Sequence, residues 1–289
     1  MSTACALPAG PRVPPPCRER TAASRRRSVE EAIGAMRERL GEPLSLPAIA
    51  RTAASSPYHF DRVFRQVTGM PPFRFLAALR LDAARRLLLT TPYSATSICF
   101  EVGYSSVGSF TRQFAEAVGM PPARLRGFAA AGTGPAALSR VPDVVDAPAA
   151  ARGGLAGVVR APDGFAGAIF VGVFTTPLPS GRPRACALLR EGGPFHVGPL
   201  PDGEYHVFAA GMAAAPGAPP ARVLLQDDAL RAAAGPVEVR GGEAPRPVEL
   251  ALRPRDPVDP PILVSLPVLL AERLSGGAGD GTRPHPPAS

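Results

Sequence analysis

The apolar residues of this chain recur with a helical spacing in its first half and with a strand-like spacing in its second half. The helical pattern begins at Ser28, and Glu31 three residues later gives the sequence of a capping box. An apolar stripe at intervals of three and four residues follows and stops before Gly41: Ile33, Met36 and Leu40. Similar patterns continue to about residue 126, so this half is predicted to be all-α.

The second half consists of short runs with strand-like composition, bounded by turn residues. Pro-Asp-Gly sequences at residues 162–164 and 201–203 predict tight turns. Several short strands separated by such turns are typical of a β-sandwich. The predicted strands cover residues 168–174, 185–190, 204–210, 236–240, 247–253 and 262–266.

A short sequence, Gly-Met-Pro-Pro, occurs twice in the helical half, at residues 69–72 and 119–122. When the two copies are aligned at an offset of 50 residues, the similarity extends well beyond these four positions. One supersecondary unit is therefore used twice. The matching pairs are Ser55 and Ser105, Ser56 and Ser106, Phe60 and Phe110, Arg62 and Arg112, Phe64 and Phe114, and Arg74 and Arg124.

Each copy contains a short apolar helix, a tight turn and a longer helix, which is the plan of a helix-turn-helix unit. The first helices are predicted at residues 47–53 and 95–102, and the second helices at 57–68 and 107–118. Gly ends each second helix, and the Pro-Pro pair prevents its continuation. The second turn is one residue longer than the first.

The second helix of each unit separates into a buried face and an exposed face at 100° per residue. An Arg on the exposed face can bind guanine O6 and N7 with two hydrogen bonds, and small neighbours let the helix approach the base edges. Asp61 either accepts from cytosine N4 or orients Arg62. The predicted buried residues are Phe60, Val63, Phe64, Val67, Phe110, Phe114 and Ala117. The exposed faces carry Tyr58, Asp61, Arg62 and Arg65, and then Gly108, Thr111, Arg112 and Ala115 with Ser109 at the flank.

The segment between the two units, residues 73–91, is predicted to be one continuous helix. Its length at 1.5 Å per residue is about 28 Å. A rigid spacer of this size can hold two recognition helices roughly 34 Å apart, one turn of DNA, on one face of the duplex. A monomer is then sufficient to contact successive major grooves. The apolar side chains available to the core are Phe75, Leu76, Leu79, Ala83, Leu87 and Leu88.

The positive charge of the chain is concentrated in its helical half. All basic side chains are Arg, and residues 1–128 carry 18 Arg against 9 acidic residues, whereas residues 129–289 carry 14 against 15. The resulting net charges of +9 and −1 add to the +8 of the whole chain. A basic half beside a near-neutral half favours a module that binds a polyanion, joined to a second domain of another kind.

The remaining sequence features indicate a reduced, cytoplasmic protein without a catalytic site. No apolar run is long enough for a membrane span or a secretory signal. No Ser/His/Asp order, carboxylate pair or Gly-rich phosphate loop predicts an enzyme, and no cofactor or metal is expected. His196 and His206 are interpreted as core or edge residues rather than metal ligands. The cysteines are scattered and form no Cys-x-x-Cys pair: Cys5, Cys17, Cys99 and Cys186.

Residues 28–128 resemble the DNA-binding domain of the AraC/XylS family of bacterial transcription regulators. The similarity lies in "LSLPAIA" with "SSPYHFDRVF", in "RLDAARRLL" of the connecting helix, and in "SICFEVGYSSVGSFTRQF" with "VGMPPARLR". The resemblance implies seven helices and two helix-turn-helix units in adjacent major grooves. By position it implies phosphate contacts from Ser56 and Ser106, and base contacts from Tyr58, Asp61, Arg62, Val107, Gly108, Ser109, Thr111 and Arg112. Arg65, on the same exposed face, completes the predicted DNA-binding set.

Two cysteine positions bear on this resemblance. Cys99 stands where the family usually has Ala, and it is interpreted as a small buried residue rather than a redox sensor. Some DNA-repair methyltransferases join sacrificial cysteines to the same helical domain. That chemistry requires a folded zinc site with activated thiolates, whereas Cys5 and Cys17 lie in a Pro-rich arm without further ligands.

The predicted fold class is therefore multidomain: an all-α DNA-binding domain with two helix-turn-helix units, followed by a mainly-β, sandwich-like domain. The predicted boundaries are a disordered arm at 1–27, the tandem helix-turn-helix domain at 28–128, a linker at 129–153, the β domain at 154–274 and a disordered tail at 275–289.

The predicted function is a sequence-specific, DNA-binding transcription regulator whose partners are operator or promoter DNA and RNA polymerase. The stretch "LPDGEYHVFAAG" is similar to the edge of prealbumin-like or carboxypeptidase-regulatory-like β-sandwiches. The β domain is expected to sense a small-molecule effector, to mediate protein contacts or to serve as a structural appendage. The alternative is that the C-terminal half is an enzyme or a carbohydrate-binding module, and that DNA binding only localises it.

Overall fold

The computed structural model describes residues 17–130, 153–213, 224–225 and 227–265. The helices are α1 (Cys17–Glu38), α2 (Leu46–Thr52), α3 (Pro57–Thr68), α4 (Pro72–Thr90), α5 (Ala95–Glu101), α6 (Val107–Val118) and α7 (Pro122–Ala130). The strands are β1 (Leu155–Arg160), β2 (Gly167–Phe174), β3 (Ala185–Leu189), β4 (Gly193–Val197), β5 (Gly203–Ala213), β6 (Leu230–Val239) and β7 (Val248–Ala251). The predicted order of an all-α part followed by a β part is confirmed.

The first helix begins well before the predicted capping box. Helix α1 starts at Cys17, so residues 17–27 are helical, and the prediction that they belong to a disordered arm is wrong. Ala and Arg, which dominate this stretch, are strong helix formers. Arg26 also pairs with Glu30 one turn later at 2.9 Å, and it contacts Asp256 of the β domain. Helix propensity and a tertiary ion pair therefore outweigh the local capping signal at Ser28.

The helical domain is organised around α4, the predicted spacer between the two repeated units. The predicted core residues Phe75, Leu76, Leu79 and Leu88 are buried, while Ala83 and Leu87 are partly buried against the same core. Phe75 meets Phe64 of α3 edge-on, with ring centroids 5.5 Å apart. Because α4 is a single helix of 19 residues, its length is about 28 Å.

The β part consists of two sheets that face each other across a common core. One sheet has the strand order β4-β1-β7, in which β1 is antiparallel to β4 and parallel to β7. The other sheet is antiparallel throughout, with the order β3-β2-β5-β6. Val159 and Leu250 from the first sheet and Val171 and Val207 from the second belong to one buried cluster. The predicted sandwich-like arrangement is therefore present.

The strand predictions were correct for β2, β3, β5 and β7, and incomplete elsewhere. Strand β6 begins at Leu230, six residues before the predicted start at Pro236. Strands β1 and β4 were not predicted because Gly and Pro interrupt their short apolar runs. Residues 262–265 do not form the expected strand, since Pro260 and Pro261 supply no N–H donors at its start.

Strand β2 is buried on both faces, which explains its nearly continuous apolar sequence. Ile169, Val171 and Val173 point into the core of the sandwich. On the opposite face, Phe170 and Phe174 pack with Ile262 and Val264. The segment of residues 260–265, which we call the strap, therefore covers the outer face of the four-stranded sheet.

The β part and the helical domain are joined through shared apolar packing. Leu178, Leu224, Val258 and Leu263 from the second half belong to the same hydrophobic cluster as the helical core. These side chains exclude water between the two parts. The predicted linker lies outside the described residues from 131 to 152, and so does the predicted tail. Within the described part, no helix is long and apolar enough to cross a membrane.

Candidate nucleic-acid interface

The two recognition helices, α3 and α6, begin with the same serine cap. The hydroxyl of Ser56 accepts a hydrogen bond from the backbone N–H of His59 at 3.4 Å, and Ser106 accepts from Ser109 at the same distance. A capping serine satisfies one of the N–H groups that the first turn of a helix leaves free. Both serines are exposed. The positions predicted to touch phosphate therefore lie at the positive ends of the two helix dipoles.

The two recognition helices also end in the same way. Gly69 and Gly119 have φ values of 75° and 92°, a left-handed conformation that glycine adopts without steric cost. Their backbone N–H groups cap the helices by donating to Arg65 and Ala115 respectively. Pro72 and Pro122 then begin α4 and α7. The repeated Gly-Met-Pro-Pro sequence thus ends one helix and starts the next.

The buried faces of the recognition helices agree with the predicted apolar stripes. Phe60 and Phe64 lie 5.4 Å apart, and their counterparts Phe110 and Phe114 lie 5.7 Å apart, measured between ring centroids. All four rings are nearly inaccessible to solvent. Because these phenylalanines anchor each helix to the domain, the opposite side chains have a defined orientation. Val63 is also buried, whereas Val67 and Ala117 are partly buried.

The exposed face of α3 presents an aromatic and two basic side chains to solvent. Tyr58 is 85% exposed, although a large aromatic ring is usually buried in a monomer. Arg62 and Arg65 are also exposed, while Asp61 is half-buried. The carboxylate of Asp61 accepts from Arg65 Nε at 2.8 Å. The hypothesis that Asp61 orients Arg62 is therefore wrong, because Arg65, one full helical turn away, binds the carboxylate of Asp61.

Arg62 instead has a partner that sequence reasoning missed. Its Nη2 atom lies 3.4 Å from Nδ1 of His59 on the exposed face. The spacing of three residues on a helix was the available signal for this contact. His59 therefore belongs to the surface that α3 presents, together with Tyr58 and Arg62.

The exposed face of α6 is less crowded than that of α3. Ser109 and Arg112 are exposed, and so is Gly108, which leaves the helix surface flat beside them. Val107 and Thr111 are half-buried. Within the described residues, the Arg112 side chain forms no ion pair or hydrogen bond. Its guanidinium is accordingly available to a ligand. This helix carries the predicted set Val107, Gly108, Ser109, Thr111 and Arg112 on one continuous surface.

A half-buried tyrosine holds the turn before α6. The hydroxyl of Tyr104 donates to Oε1 of Gln113 at 3.2 Å, and its ring meets Phe110 edge-on at 5.4 Å. Burial raises the pKa of Tyr104, although the nearby Arg80 guanidinium opposes the shift. The neutral phenol is therefore the relevant form at physiological pH. This contact fixes the longer second turn, and the sequence did not indicate it.

The histidines and cysteines that could suggest other chemistry are separated in the fold. His196 lies on β4 and His206 on β5, in different sheets. In the described part of the chain, no group of three or more His, Cys, Asp or Glu residues is placed to hold a metal ion. Cys99 is fully buried, and burial raises the pKa of its thiol. Its interpretation as a small core residue is confirmed. Cys5 lies outside the described residues.

Comparison with known proteins identifies the helical region. Residues 49–127 match the family model described as a helix-turn-helix domain. The regulator GlxA of Rhizobium meliloti is 36% identical over 91 residues, which are 32% of this chain and 28% of that protein. The activator RhaS of Pectobacterium carotovorum is 32% identical over 103 residues, 36% of this chain and 37% of that protein. A crystal structure of an AraC-type regulator from Chromobacterium violaceum shares 30% identity and has a TM-score of 0.35, covering 37% of this chain and 95% of that one.

The family match lies within the helical region. The chain spans well under half the length of the two regulators named. The matched segment includes both serine caps, both exposed faces and the connecting helix. Residues 49–127 of this chain therefore form a helix-turn-helix domain similar to those of HTH-type transcriptional regulators.

Proposed function

We propose that the whole chain is a sequence-specific, DNA-binding transcription regulator that inserts α3 and α6 into successive major grooves. The observation that carries this proposal is the repetition of one geometry. Each recognition helix starts at an exposed serine cap, is anchored by two buried phenylalanines and leaves its opposite face open to solvent. Both similar regulators, GlxA and RhaS, are named for transcriptional regulation.

The exposed side chains divide into three roles. Arg62 and Arg112 read guanine through O6 and N7, since a guanidinium can make both hydrogen bonds at once. Ser56 and Ser106 contact phosphates beside the helix starts. Further base or sugar contacts come from Tyr58, Val107, Gly108, Ser109 and Thr111.

The Asp61–Arg65 pair plays a different part from that of the other candidates. Because the carboxylate of Asp61 is already bound by Arg65, the pair presents little net charge to the phosphates. We propose that Arg65 turns from Asp61 to a phosphate when DNA binds, and that Asp61 then accepts from cytosine N4. The first unit would read its bases through this exchange.

The length of the connecting helix supports binding by a monomer. Helix α4 measures about 28 Å, close to the roughly 34 Å that separates successive major grooves on one face of DNA. We propose that the β domain senses an effector and that the complex contacts RNA polymerase at a promoter. The name of RhaS as an activator favours activation. Such a protein works beside the chromosome, in the cytoplasm of a bacterium.

Selection from random double-stranded oligonucleotides with the full chain tests this proposal. We expect two conserved half-sites separated by about one helical turn, 10–10.5 base pairs. The Arg62→Ala and Arg112→Ala variants should each relax preference within one half-site. Arg160→Ala is the matched control, because it removes the same charge from an exposed position of the β domain. Recovery of no preferred sequence by the wild-type chain would refute sequence-specific regulation.

A further inference from the structure

A cavity lies on the outer face of the four-stranded sheet, beneath the strap. Its volume is about 50 Å³. The sheet contributes Phe170, Phe174, Phe208 and Ala210, and the strap contributes Ile262 and Val264. These apolar walls form a cluster that is separate from the core of the sandwich. The cavity is therefore a distinct compartment between the sheet and the strap.

A buried arginine stands in the wall of this cavity. Arg231 is only 9% exposed. Its Nη1 atom donates to the backbone oxygen of Pro260 at 3.1 Å, but its Nε has no hydrogen-bond partner among the described residues. Burial, assisted by the nearby Arg255, lowers the pKa of Arg231 to about 10. A buried cation with an unused donor is costly unless an anion or another acceptor completes its contacts.

The charges around the cavity favour a ligand with one negative charge. Among the described residues that line it, the charged ones are Arg231, Arg253 and Asp259. Arg253 and Asp259 neutralise each other through two hydrogen bonds of 2.7 Å. Asp259 also attracts the charge of Arg231, so two arginines share one carboxylate and the lining keeps a net charge of +1. A monoanion is therefore the charge that complements the cavity.

The size and the walls of the cavity narrow the class of ligand further. A water-sized group requires about 10–15 Å³ of such volume, so 50 Å³ accommodates a molecule of only a few heavy atoms. The aromatic and aliphatic walls suit a short hydrocarbon chain, and the positive charge of Arg231 in the wall suits a carboxylate. A short-chain aliphatic carboxylate combines these properties.

The strap connects the cavity to the second recognition helix. Ile262 and Val264 face the cavity, whereas Leu263 between them is fully buried in the helical core. The backbone N–H of Ser265 donates to the carbonyl of Val118, the last residue of α6, at 3.4 Å. A single peptide step therefore separates the cavity lining at Val264 from the contact of Ser265 with the end of α6.

A neighbouring loop reinforces this connection. The carbonyl of Pro179, which also lines the cavity, accepts from the N–H groups of Leu263 and Val264 at 3.0 and 3.2 Å. Two residues later, Gly181 donates its N–H to the carbonyl of Ala117 at 2.6 Å. The loop and the strap therefore hold the last turn of α6 together.

We propose that this cavity binds a short-chain aliphatic carboxylate through Arg231, and that the bound ligand stabilises the packing of the strap against α6. The regulatory part of this inference rests on the proposed function as a DNA-binding regulator. In the packed arrangement the exposed faces of α3 and α6 stay free of the β domain. A ligand that favours this arrangement shifts the population toward it, so it raises the affinity for DNA.

Calorimetric titration of the full chain with propionate, in the absence of DNA, tests the site. We expect saturable binding of propionate and none of propionamide, which has the same shape without the charge. Ala210→Leu fills the cavity and should abolish binding, with folding verified by thermal melting. Arg231→Gln should weaken binding about tenfold or more, while the exposed Arg240→Gln should leave it unchanged.

Three results would overturn the site. They are the absence of saturable binding by the wild-type chain, equal binding of propionamide, and wild-type affinity in a folded Ala210→Leu variant. The wild-type titration decides the matter even if that variant does not fold. Because this titration contains no DNA, it also decides the site independently of whether the oligonucleotide selection succeeds.

The coupling is tested by measuring affinity for the selected DNA with and without saturating propionate. We expect an increase of about fivefold or more for the wild-type chain, the usual size of coupling between two sites. Leu263→Ala should bind propionate as the wild-type chain does, but its DNA affinity should no longer respond. An unchanged wild-type DNA affinity in the presence of bound propionate would overturn the coupling.

Discussion

The guanidinium of Arg85 donates to the carboxylate of Asp82 at 2.7 Å, and both side chains are almost completely withdrawn from solvent. Arg85 also donates to the backbone oxygen of Leu225 at 3.2 Å, so this pair joins α4 to the second half of the chain. Two further nitrogens of Arg85 have no partner among the described residues. The connecting helix thus carries a buried charge whose main compensation is a single carboxylate.

Asp82→Asn is therefore expected to destabilise the chain strongly. Removal of one member of a buried ion pair leaves an uncompensated charge, which typically costs about 3–5 kcal/mol. Urea denaturation of the full chain gives the change in free energy of unfolding. Asp61→Asn is the matched control, because the exposed Asp61–Arg65 pair should be worth about 1 kcal/mol or less. Equal effects of the two substitutions would contradict the burial argument.

Arg112→Ala is expected to weaken DNA binding by about 1–3 kcal/mol and to relax the preference at one base pair. The physical reason is that its exposed guanidinium, on the open face of α6, supplies paired donors to one guanine. Competition binding with a panel of single-base variants of the selected site provides the measurement. A uniform loss across the panel would instead identify Arg112 as a phosphate contact.

The two roles of the serine caps can be separated by replacing Ser106 with Asp or with Ala. Aspartate caps a helix as well as serine does, so Ser106→Asp should keep the stability within about 0.5 kcal/mol. Ser106→Ala should lose about 1 kcal/mol. Only the aspartate variant adds a negative charge where a phosphate is expected, so it should weaken DNA binding more than the alanine variant does. Wild-type DNA affinity of Ser106→Asp would contradict a phosphate contact there.

Gly119→Ala is expected to destabilise the helical domain by about 1–2 kcal/mol. A methyl group at this position would meet no atom within 4 Å, so a steric clash is not the cause. The cost comes from the left-handed backbone at φ 92°, which residues other than glycine rarely adopt. Gly34, inside α1, also has open space around it but carries no positive φ. Gly34→Ala should therefore stabilise the chain by about 0.5–1 kcal/mol. Thermal melting of both variants shows whether Gly119→Ala lowers the melting temperature and Gly34→Ala raises it.

The ion pair between Arg86 and Asp227 should make the contact between the two halves sensitive to acid. Burial raises the pKa of Asp227, but the Arg86 guanidinium outweighs it and holds that pKa below its ordinary value. A carboxyl whose folded pKa is lowered stabilises the fold above its unfolded pKa of about 3.9, and this contribution is lost as the pH falls through the folded pKa.

Asp227→Asn should consequently destabilise the chain at pH 7 by about 1 kcal/mol or less, since the pair is partly exposed. The difference from the wild-type chain should shrink as the pH falls below about 4. Urea midpoints measured across this range provide the test, with the exposed Asp163→Asn as control. A difference that is independent of pH would show that the charge of Asp227 is not the cause.

The sequence by itself determined the helical domain to within a few residues at most boundaries. Serine caps, glycine ends and the Pro-Pro pairs act within one turn of the chain, so their effects can be deduced without knowledge of the fold. The phenylalanine stripes likewise depend only on helical period. The internal repeat at an offset of 50 residues then identified the exposed faces of the two recognition helices. The contacts that these faces make with DNA remain predictions.

Local signals were insufficient where several residues compete for one group or where a distant residue supplies a contact. Asp61 is predicted to accept from cytosine N4 or to orient Arg62, whereas its carboxylate binds Arg65 on the same helix. Helix α1 extends to Cys17, and Arg26 within this extension contacts Asp256, 230 residues away. Helix propensity and the spacing of four residues are compatible with these outcomes, but they do not by themselves select them.

Only the tertiary structure decided how the second half of the chain packs against the first half. The sequence of residues 262–266 indicated a strand, yet in the described part the strap packs one face on the sheet and buries Leu263 in the helical core. The buried Arg231 and its cavity arise from the same folding of the chain. Burial and pairing between distant segments create these features, because the free energy of each contact depends on neighbours that sequence periodicity does not specify.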